Sequence, residues 1–368
     1  MRAGFVDEVA DSLHIERKDL IEKDIILHQI LSDLSKDRFF SNHFFCKGGA
    51  CLMKCYLGYA RFPDDADFMW KDLSVFAKNP RERKAYQAAI IDKTGSLLEL
   101  IAKKRGLDFK CVRNNPDYVQ IGIAIDMWFN VASIAADKLR VRSKITNMLS
   151  SRAFGAATAL PDLVGVSRAV QVLFGSKTND CRFKLWYDSE VLKHRQFLKV
   201  DLNFVRPICF PAKKGQLRGP LKGKDGEIES LFPQETAEYS RAIRFDVHDV
   251  RDILCEKISA VLTRRSPADF LDVYLICKKF GFRLENLEDC ILMKIKSALR
   301  FYGICRVDLK EKISLLNSGK LFDWGTYPYF VLSQIDVPDL YEFHEAFVGF
   351  LKNIVTLLSY GNDHNFQG

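Results

Sequence analysis

The chain of 368 residues lacks several features that would place it in a special class of protein. Its 10 cysteines include no C-x-x-C pair, and its seven histidines include no close pair with metal-ligand spacing, which argues against a zinc finger or ribbon. With 21 Gly, 11 Pro and no long heptad run, collagen-like and coiled-coil rods are excluded. We expect reduced, buried thiols, as in a cytoplasmic protein.

Long apolar segments are also missing. The most apolar stretch, Ile121 to Ala136, is too short to cross a bilayer and contains Asp126. The first residues lack the apolar region of a secretory signal peptide, and no G-x-S-x-G nucleophile elbow indicates a hydrolase. We therefore expect a cytoplasmic protein without a membrane partner.

The composition is that of a globular protein, with 48% hydrophobic and 28% charged residues and a length that suits two domains. Lys and Arg number 55 against 47 Asp and Glu, a net charge of +8. The basic residues concentrate in three segments, Lys78 to Arg105, Lys138 to Lys144 and Arg206 to Lys224. These segments are compatible with RNA binding, but they are equally compatible with ordinary solvated surfaces.

Hydrophobic spacing predicts an α+β protein whose last third is helical. The predicted helices cover residues 1–37, 78–105 and most of the chain after Phe245, and the predicted strands cover 43–46, 65–68, 182–187 and 196–204. We divide the chain into a core (1–205), a basic Gly/Pro-rich connection (206–240) and a helical C-terminal domain (241–368). A helical insertion is expected within 107–175.

One constellation indicates chemistry. A predicted strand runs into Gly48-Gly49, and a helix starts at once, so that free backbone N–H groups and a positive dipole end could hold a phosphate. On the next predicted strand, Asp65 and Asp67 point to the same face. Each motif alone is usually structural, as a turn or a solvated loop. Together they predict a Mg²⁺ and nucleoside triphosphate site.

The segment CKGGACLMKCYLGYARFPDDADF resembles the signature of the AbiEii/AbiGii toxin family, polymerase-β-like nucleotidyltransferases of toxin–antitoxin and phage-defence systems. The family pattern is approximately GG-T-A-L, a Tyr, then R-F-S-x-D-x-D-F. The matching positions are Gly48, Gly49, Leu52, Tyr56, Arg61, Phe62, Asp65, Asp67 and Phe68. Ala50 and Pro63 stand where Thr and Ser are common.

Two later segments are similar to further family motifs. FLKVDLNF would supply Asp201 as a third carboxylate, with Lys199 beside it. DILCEKISAVLTRRSPADFLDVYLI places Lys257, Asp269 and Asp272 at key positions, although Ala268 stands where the family often has Arg. The spacing of Asp269 and Asp272 also suits structural ion pairs, and we favour that reading for Asp272.

The resemblance implies a polymerase-β-like core and Mg²⁺- or Mn²⁺-dependent transfer of a nucleotidyl group from an NTP to an acceptor. The expected metal ligands are Asp65, Asp67 and Asp201, and Lys257 and Asp269 complete the catalytic set. The expected nucleotide-binding residues are Gly48, Gly49, Lys54, Arg61 and Lys199. The family suggests the 3′ end of a tRNA as acceptor and a cognate antitoxin as partner. The alternatives are an inactive nucleotide- or RNA-binding module and transfer to a small molecule.

Overall fold

The computed structural model describes residues 3–72, 74, 79–113, 115–121, 180–204, 207–221, 226–264, 266–302, 306–321 and 337–360. The described residues form a mixed sheet with many helices, which confirms the predicted α+β class. Most of the expected insertion and the whole basic segment from Lys138 to Lys144 lie outside the described residues.

Seven strands form the sheet, in the spatial order β3-β4-β5-β2-β1-β7-β6. In chain order they are β1 (Phe44–Lys47), β2 (Asp65–Trp70), β3 (Val119–Ile121), β4 (Asp180–Asp188), β5 (Arg195–Asn203), β6 (Lys213–Leu217) and β7 (Ile243–Val247). The pairs β1–β7 and β2–β5 are parallel, and the other four pairs are antiparallel. The predicted strands at 43–46, 65–68, 182–187 and 196–204 are therefore confirmed within one or two residues.

Five helices belong to the first part of the chain: α1 (Ala3–Leu13), α2 (Lys18–Lys36), α3 (Arg38–His43), α4 (Gly48–Cys51) and α5 (Pro80–Arg105). A π-helical turn, Leu52–Leu57, continues α4 directly. The helical region predicted over residues 1–37 consists of two helices, and α3 begins directly after it. Pro80 is at the first turn of α5, where the missing N–H costs nothing, and Asn79 caps that helix.

The later helices are α6 (Gly226–Leu231), α7 (Pro233–Tyr239), α8 (Val250–Thr263), α9 (Pro267–Phe280), α10 (Glu288–Tyr302), α11 (Arg306–Asn317) and α12 (Val337–Tyr360), with a 3₁₀ turn at Leu284–Leu287. No described helix combines the length and apolarity that crossing a membrane requires. Buried apolar faces of α8, α9 and α10 share one core with the sheet, which fixes the helical part against the strands.

Two findings differ from expectation. The residues taken for a basic connection contain an edge strand, β6, and two helices; β6 resembles a loop in sequence because an exposed edge strand carries Lys213 and Lys214 rather than apolar residues. The thiols are not all reduced, because Cys209 and Cys290 form a disulfide although 81 residues separate them. The other described cysteines are free, and most are buried.

Candidate active site

The glycine turn after β1 fits closely against β2. Gly48 has φ +66°, a conformation that favours glycine, and a Cβ there would lie 2.6 Å from the carboxyl carbon of Asp67. A Cβ on Gly49 would lie 3.2 Å from a guanidinium nitrogen of Arg61. Gly48 is therefore required by the close approach of Asp67, and the predicted helix starts at the glycine pair itself.

The three predicted metal ligands lie side by side. In the parallel pairing of β2 with β5, Asp67 is opposite Asp201 and Asp65 is opposite Lys199. Asp65 and Asp67 share one face of β2, because Ala66 between them points into the core. The sheet thus brings a carboxylate of β5, more than 130 positions further along the chain, next to the two carboxylates of β2.

The carboxylates repel one another in a poorly solvated place. Burial raises the pKa of Asp67, and the neighbouring Asp65 raises it further. Burial raises the pKa of Asp201 to about 7; the ion pair with Arg182 opposes this rise, and Asp67 and Asp65 add to it. Arg182 on β4 holds Asp201 through two bonds, Nε to Oδ1 at 2.8 Å and Nη2 to Oδ2 at 2.6 Å.

The donor set suits a divalent cation. Lys199 lies 3.2 Å from Oδ1 of Asp65, yet that buried oxygen accepts no hydrogen bond of acceptable geometry within the described part of the chain. Carboxylate oxygens are the ligands that Mg²⁺ and Mn²⁺ prefer, and a cation would remove the repulsion that raises the carboxyl pKa values. Asp65, Asp67 and Asp201 therefore fit a hard divalent metal ion.

Behind the carboxylates lies a second set of buried charges. Lys47, opposite Asp67 in the β1–β2 pairing, is 2.8 Å from Glu256 of α8. Glu256 also contacts Lys294, which lies 2.8 Å from Asp252. Lys47 opposes the rise in the pKa of Asp67, so this chain of ion pairs supplies cationic charge next to the cluster.

Lys257 lies in an ion-pair network that joins the helical part to the glycine turn. Its ammonium is 2.7 Å from Asp269 and 2.8 Å from Asp272. Arg61 holds Asp272 through Nε at 3.0 Å and Nη2 at 2.8 Å. Burial disfavours the charged Lys257, but Asp269 and Asp272 outweigh it and raise its pKa.

The same network is close to the carboxylate cluster, since the positive charge of Lys257 lowers the pKa of Asp67. Asp272 is fully buried and shared by two cations, as a structural role requires. Asp269 is also buried, and its Oδ2 accepts no hydrogen bond from the described residues.

Lys54 lies in a different place. Its side chain has no exposed surface and is 2.8 Å from the equally buried Asp24 of α2. The hydroxyls of Tyr59 and Tyr239 donate to the same carboxylate at 2.6 and 2.7 Å. An ammonium enclosed in this way cannot meet a ligand that enters from solvent, so the structure separates Lys54 from the other predicted nucleotide-binding residues.

Sequence reasoning missed Lys47 and Arg182. Lys47 directly precedes the glycine pair, so its position could have indicated a role in the site, although the quoted family pattern begins only at the glycines. Arg182 offered none, because only the antiparallel register of β4 with β5 places it opposite Asp201.

A sequence model described as the nucleotidyl transferase AbiEii toxin of a type IV toxin–antitoxin system matches residues 107–323, more than half of the chain. Asp201, Lys257 and Asp269 lie within that range, and Gly48, Gly49, Asp65 and Asp67 precede it. No curated protein matches the chain.

Solved structures with a similar fold include two bacterial proteins. JHP933 from Helicobacter pylori is 12% identical, with a TM-score of 0.39 over 94% of this chain and 97% of that one. MenT4, a nucleotidyltransferase toxin from Mycobacterium tuberculosis, is 13% identical, with a TM-score of 0.43 over 96% and 98% of the two chains. At these TM-scores the two similarities add no argument to the family match.

Proposed function

The chain belongs to the AbiEii toxin family of nucleotidyltransferases, and on that basis we propose that it transfers a nucleotidyl group from a nucleoside triphosphate to the 3′ end of an RNA. The observation that carries the proposal is the cluster of Asp65, Asp67 and Asp201 beside the Gly48 turn. Three carboxylates that meet on neighbouring strands, one of them with an oxygen that accepts no hydrogen bond from the described residues, predict a site that divalent metal and triphosphate complete.

The residues of the site have distinct tasks. Asp65, Asp67 and Asp201 would hold Mg²⁺ or Mn²⁺, which when bound offsets the charge of the triphosphate and of the transition state. Gly48 and Gly49 would offer backbone N–H groups to the phosphate oxygens, while the missing side chain of Gly48 makes room for Asp67. Lys199 and Lys257 supply positive charge on either side of the cluster.

Proton transfer falls to Asp201. As a carboxylate of the metal site, Asp201 would accept the proton of the attacking RNA hydroxyl when that hydroxyl is bound next to it. As the proton leaves, the hydroxyl oxygen bonds to the α-phosphorus and the bond to the bridging oxygen of pyrophosphate breaks. Lys257 would stabilise the charge that develops on the departing pyrophosphate.

We assign Lys54 a structural role and keep Gly48, Gly49 and Lys199 as nucleotide-binding residues. Arg61 acts indirectly, by holding Asp272 and with it Lys257. The tRNA acceptor is supported by the basic segments around Arg81 and Lys213 and by the family. A cognate antitoxin is expected for the same family reason.

The test is label transfer. Wild-type protein is incubated with Mg²⁺, each of four α-³²P-labelled NTPs and total tRNA, and the RNA is resolved on a denaturing gel. Label that enters RNA, and fails to enter without Mg²⁺, supports the proposal. Label that enters only a small molecule would indicate a different acceptor, and binding of NTP without transfer would indicate an inactive binding module. An Asp67→Asn variant is the control for contaminating enzymes.

A further inference from the structure

A second cleft opens at the start of α8, apart from the carboxylate cluster. It encloses about 430 Å³, and its lining comprises Phe210, Arg251, Gly281, Phe282, Arg283, Asn286 and Leu287. The lining thus combines two aromatic rings, two guanidinium groups and one amide, and it includes no carboxylate. A space of this size suits one nucleotide rather than an extended peptide.

One wall of the cleft is a stacked pair. The Arg251 guanidinium carbon lies 4.0 Å from the centre of the Phe210 ring. Arg251 is held in this position by two bonds to Asp249, at 2.9 and 3.0 Å, and its side chain keeps 36% exposure. An exposed guanidinium plane of fixed orientation is a surface on which an unpaired base can stack.

The backbone that carries Phe210 is fixed by buried groups. The Asp252 carboxylate accepts the N–H groups of Cys209 at 3.1 Å and of Phe210 at 2.7 Å. The Cys209–Cys290 disulfide ties the same segment to α10. The stacking wall is therefore in place before any ligand arrives, which lowers the entropy cost of binding.

The opposite wall supplies charge and a second ring. Arg283 is exposed, and the described residues offer its guanidinium no ion pair. Phe282 stacks at 5.5 Å on Phe280, which is 37% exposed. Asn286 is exposed beside them and can both donate to and accept from a base edge.

The position of the cleft relates it to the proposed reaction. Arg251 precedes Lys257 by six residues on α8, a rise of about 9 Å along the helix axis. The exposed Lys213 pairs with the same Asp249 that holds Arg251, so the basic strand β6 leads to the cleft. A polyanion on the β6 edge would thus lie next to the cleft.

We propose that this cleft binds one unpaired nucleotide of the RNA acceptor, with its base on the Arg251–Phe210 stack and its phosphate on Arg283. The inference rests on the proposed RNA acceptor, and it adds a second RNA-binding position outside the metal site. It assigns recognition to shape and stacking, so the site accepts a nucleotide of an RNA strand and not a free mononucleotide of the same chemistry.

The test is binding of a 5′-fluorescein single-stranded 12-nucleotide RNA, followed by fluorescence anisotropy at several KCl concentrations without any NTP. We expect Arg283→Glu to weaken binding about 10-fold or more, and to lower the slope of log K against log salt by about 0.7. Arg251→Lys keeps the positive charge but removes the planar guanidinium on which the base would stack, and should weaken binding about 5-fold or more.

The matched control is Arg38→Glu, which makes the same charge change at an exposed position on α3, outside the basic segments. If Arg283→Glu and Arg251→Lys both bind RNA as Arg38→Glu does, the proposal is overturned. Equal displacement of the RNA by free AMP or UMP at similar concentration would also overturn it. Since the assay contains no NTP, its result is independent of label transfer. If the wild type transfers label but the cleft variants bind RNA normally, the cleft proposal fails and the proposed function stands.

Discussion

Two buried charged regions of this molecule are built on opposite principles. Around Asp24, one carboxylate is balanced in charge by Lys54 and accepts hydrogen bonds from two tyrosine hydroxyls. Around Asp67, three carboxylates converge, and the pKa values of Asp67 and Asp201 are raised. The first arrangement is complete without a ligand, and the second is stabilised by one. Unbalanced buried charge, more than burial itself, marks the functional site.

The largest effect on stability should come from breaking the balanced region. Lys54→Met leaves the buried Asp24 carboxylate without its cation and should cost about 3–5 kcal/mol of unfolding free energy. Urea denaturation measures the loss. The double variant with Asp24→Asn should recover part of it, since no buried charge then remains unpaired. Unchanged stability of Lys54→Met would remove the distinction between the two regions.

A methyl group at the glycine turn should disable the unbalanced region. Gly48→Ala places a Cβ against the Asp67 carboxyl group, and a displacement of about 1 Å at a reacting centre can cost about 10²-fold in rate. Nucleotidyl transfer at saturating NTP measures this. Gly58→Ala is the matched control, because Gly58 also has a positive φ but has no atom within 4 Å of the added carbon. Equal losses in both variants would mean that backbone strain, not contact with Asp67, is responsible.

Lys257 combines features of both regions, because it is paired with Asp269 and Asp272 and yet lies close to the carboxylate cluster. Lys257→Ala should lower transfer by about 10²-fold, the loss expected when one charge-stabilising donor is removed. Lys257→Arg should restore only part of the activity, since a planar fork replaces a compact ammonium. Transfer rates and melting temperatures are compared side by side. A variant that loses stability but keeps its rate per folded molecule would make Lys257 purely structural.

The pH dependence of stability sharpens the comparison. A carboxyl group with a raised pKa binds its proton more tightly in the folded state, so the stability it contributes falls as pH rises from about 4 through about 7. Asp67→Asn removes one such group. In the absence of metal, the melting temperature of the variant minus that of the wild type should therefore increase as pH rises from 4 to 8. A difference that is constant with pH would show that Asp67 is not destabilised by its surroundings.

Much of the site could be predicted because its motifs are local in the sequence. Gly48, Asp65 and Asp67 lie within 20 residues, and alternation on β2 fixes the direction of the two carboxylates. Lys54 was misplaced because a helical lysine beside a glycine turn has no sequence signal that distinguishes a buried partner from a phosphate. The partner, Asp24, lies on α2, and only tertiary packing brings it close.

Longer-range features were beyond sequence reasoning for the same reason. The Arg182–Asp201 pair depends on strand register, and the disulfide joins residues 81 positions apart. The β6 edge strand was taken for a loop because exposed lysines and glycine suit either structure. Where a family motif existed, as for Asp201 and Lys257, it supplied the long-range information that the residues alone lack. No such motif covers the Arg182–Asp201 pair, the disulfide or β6.

The central claim is that Asp65, Asp67 and Asp201 form a divalent metal site. Mn²⁺ binding, measured by electron paramagnetic resonance with a nonhydrolysable NTP analogue present, tests it most directly. The account predicts that wild-type protein binds Mn²⁺, that binding weakens as pH falls below about 7 because protons compete for the carboxylates, and that Asp67→Asn reduces it at least about 10-fold. Binding of Mn²⁺ to Asp67→Asn with wild-type affinity and the same pH dependence would contradict it.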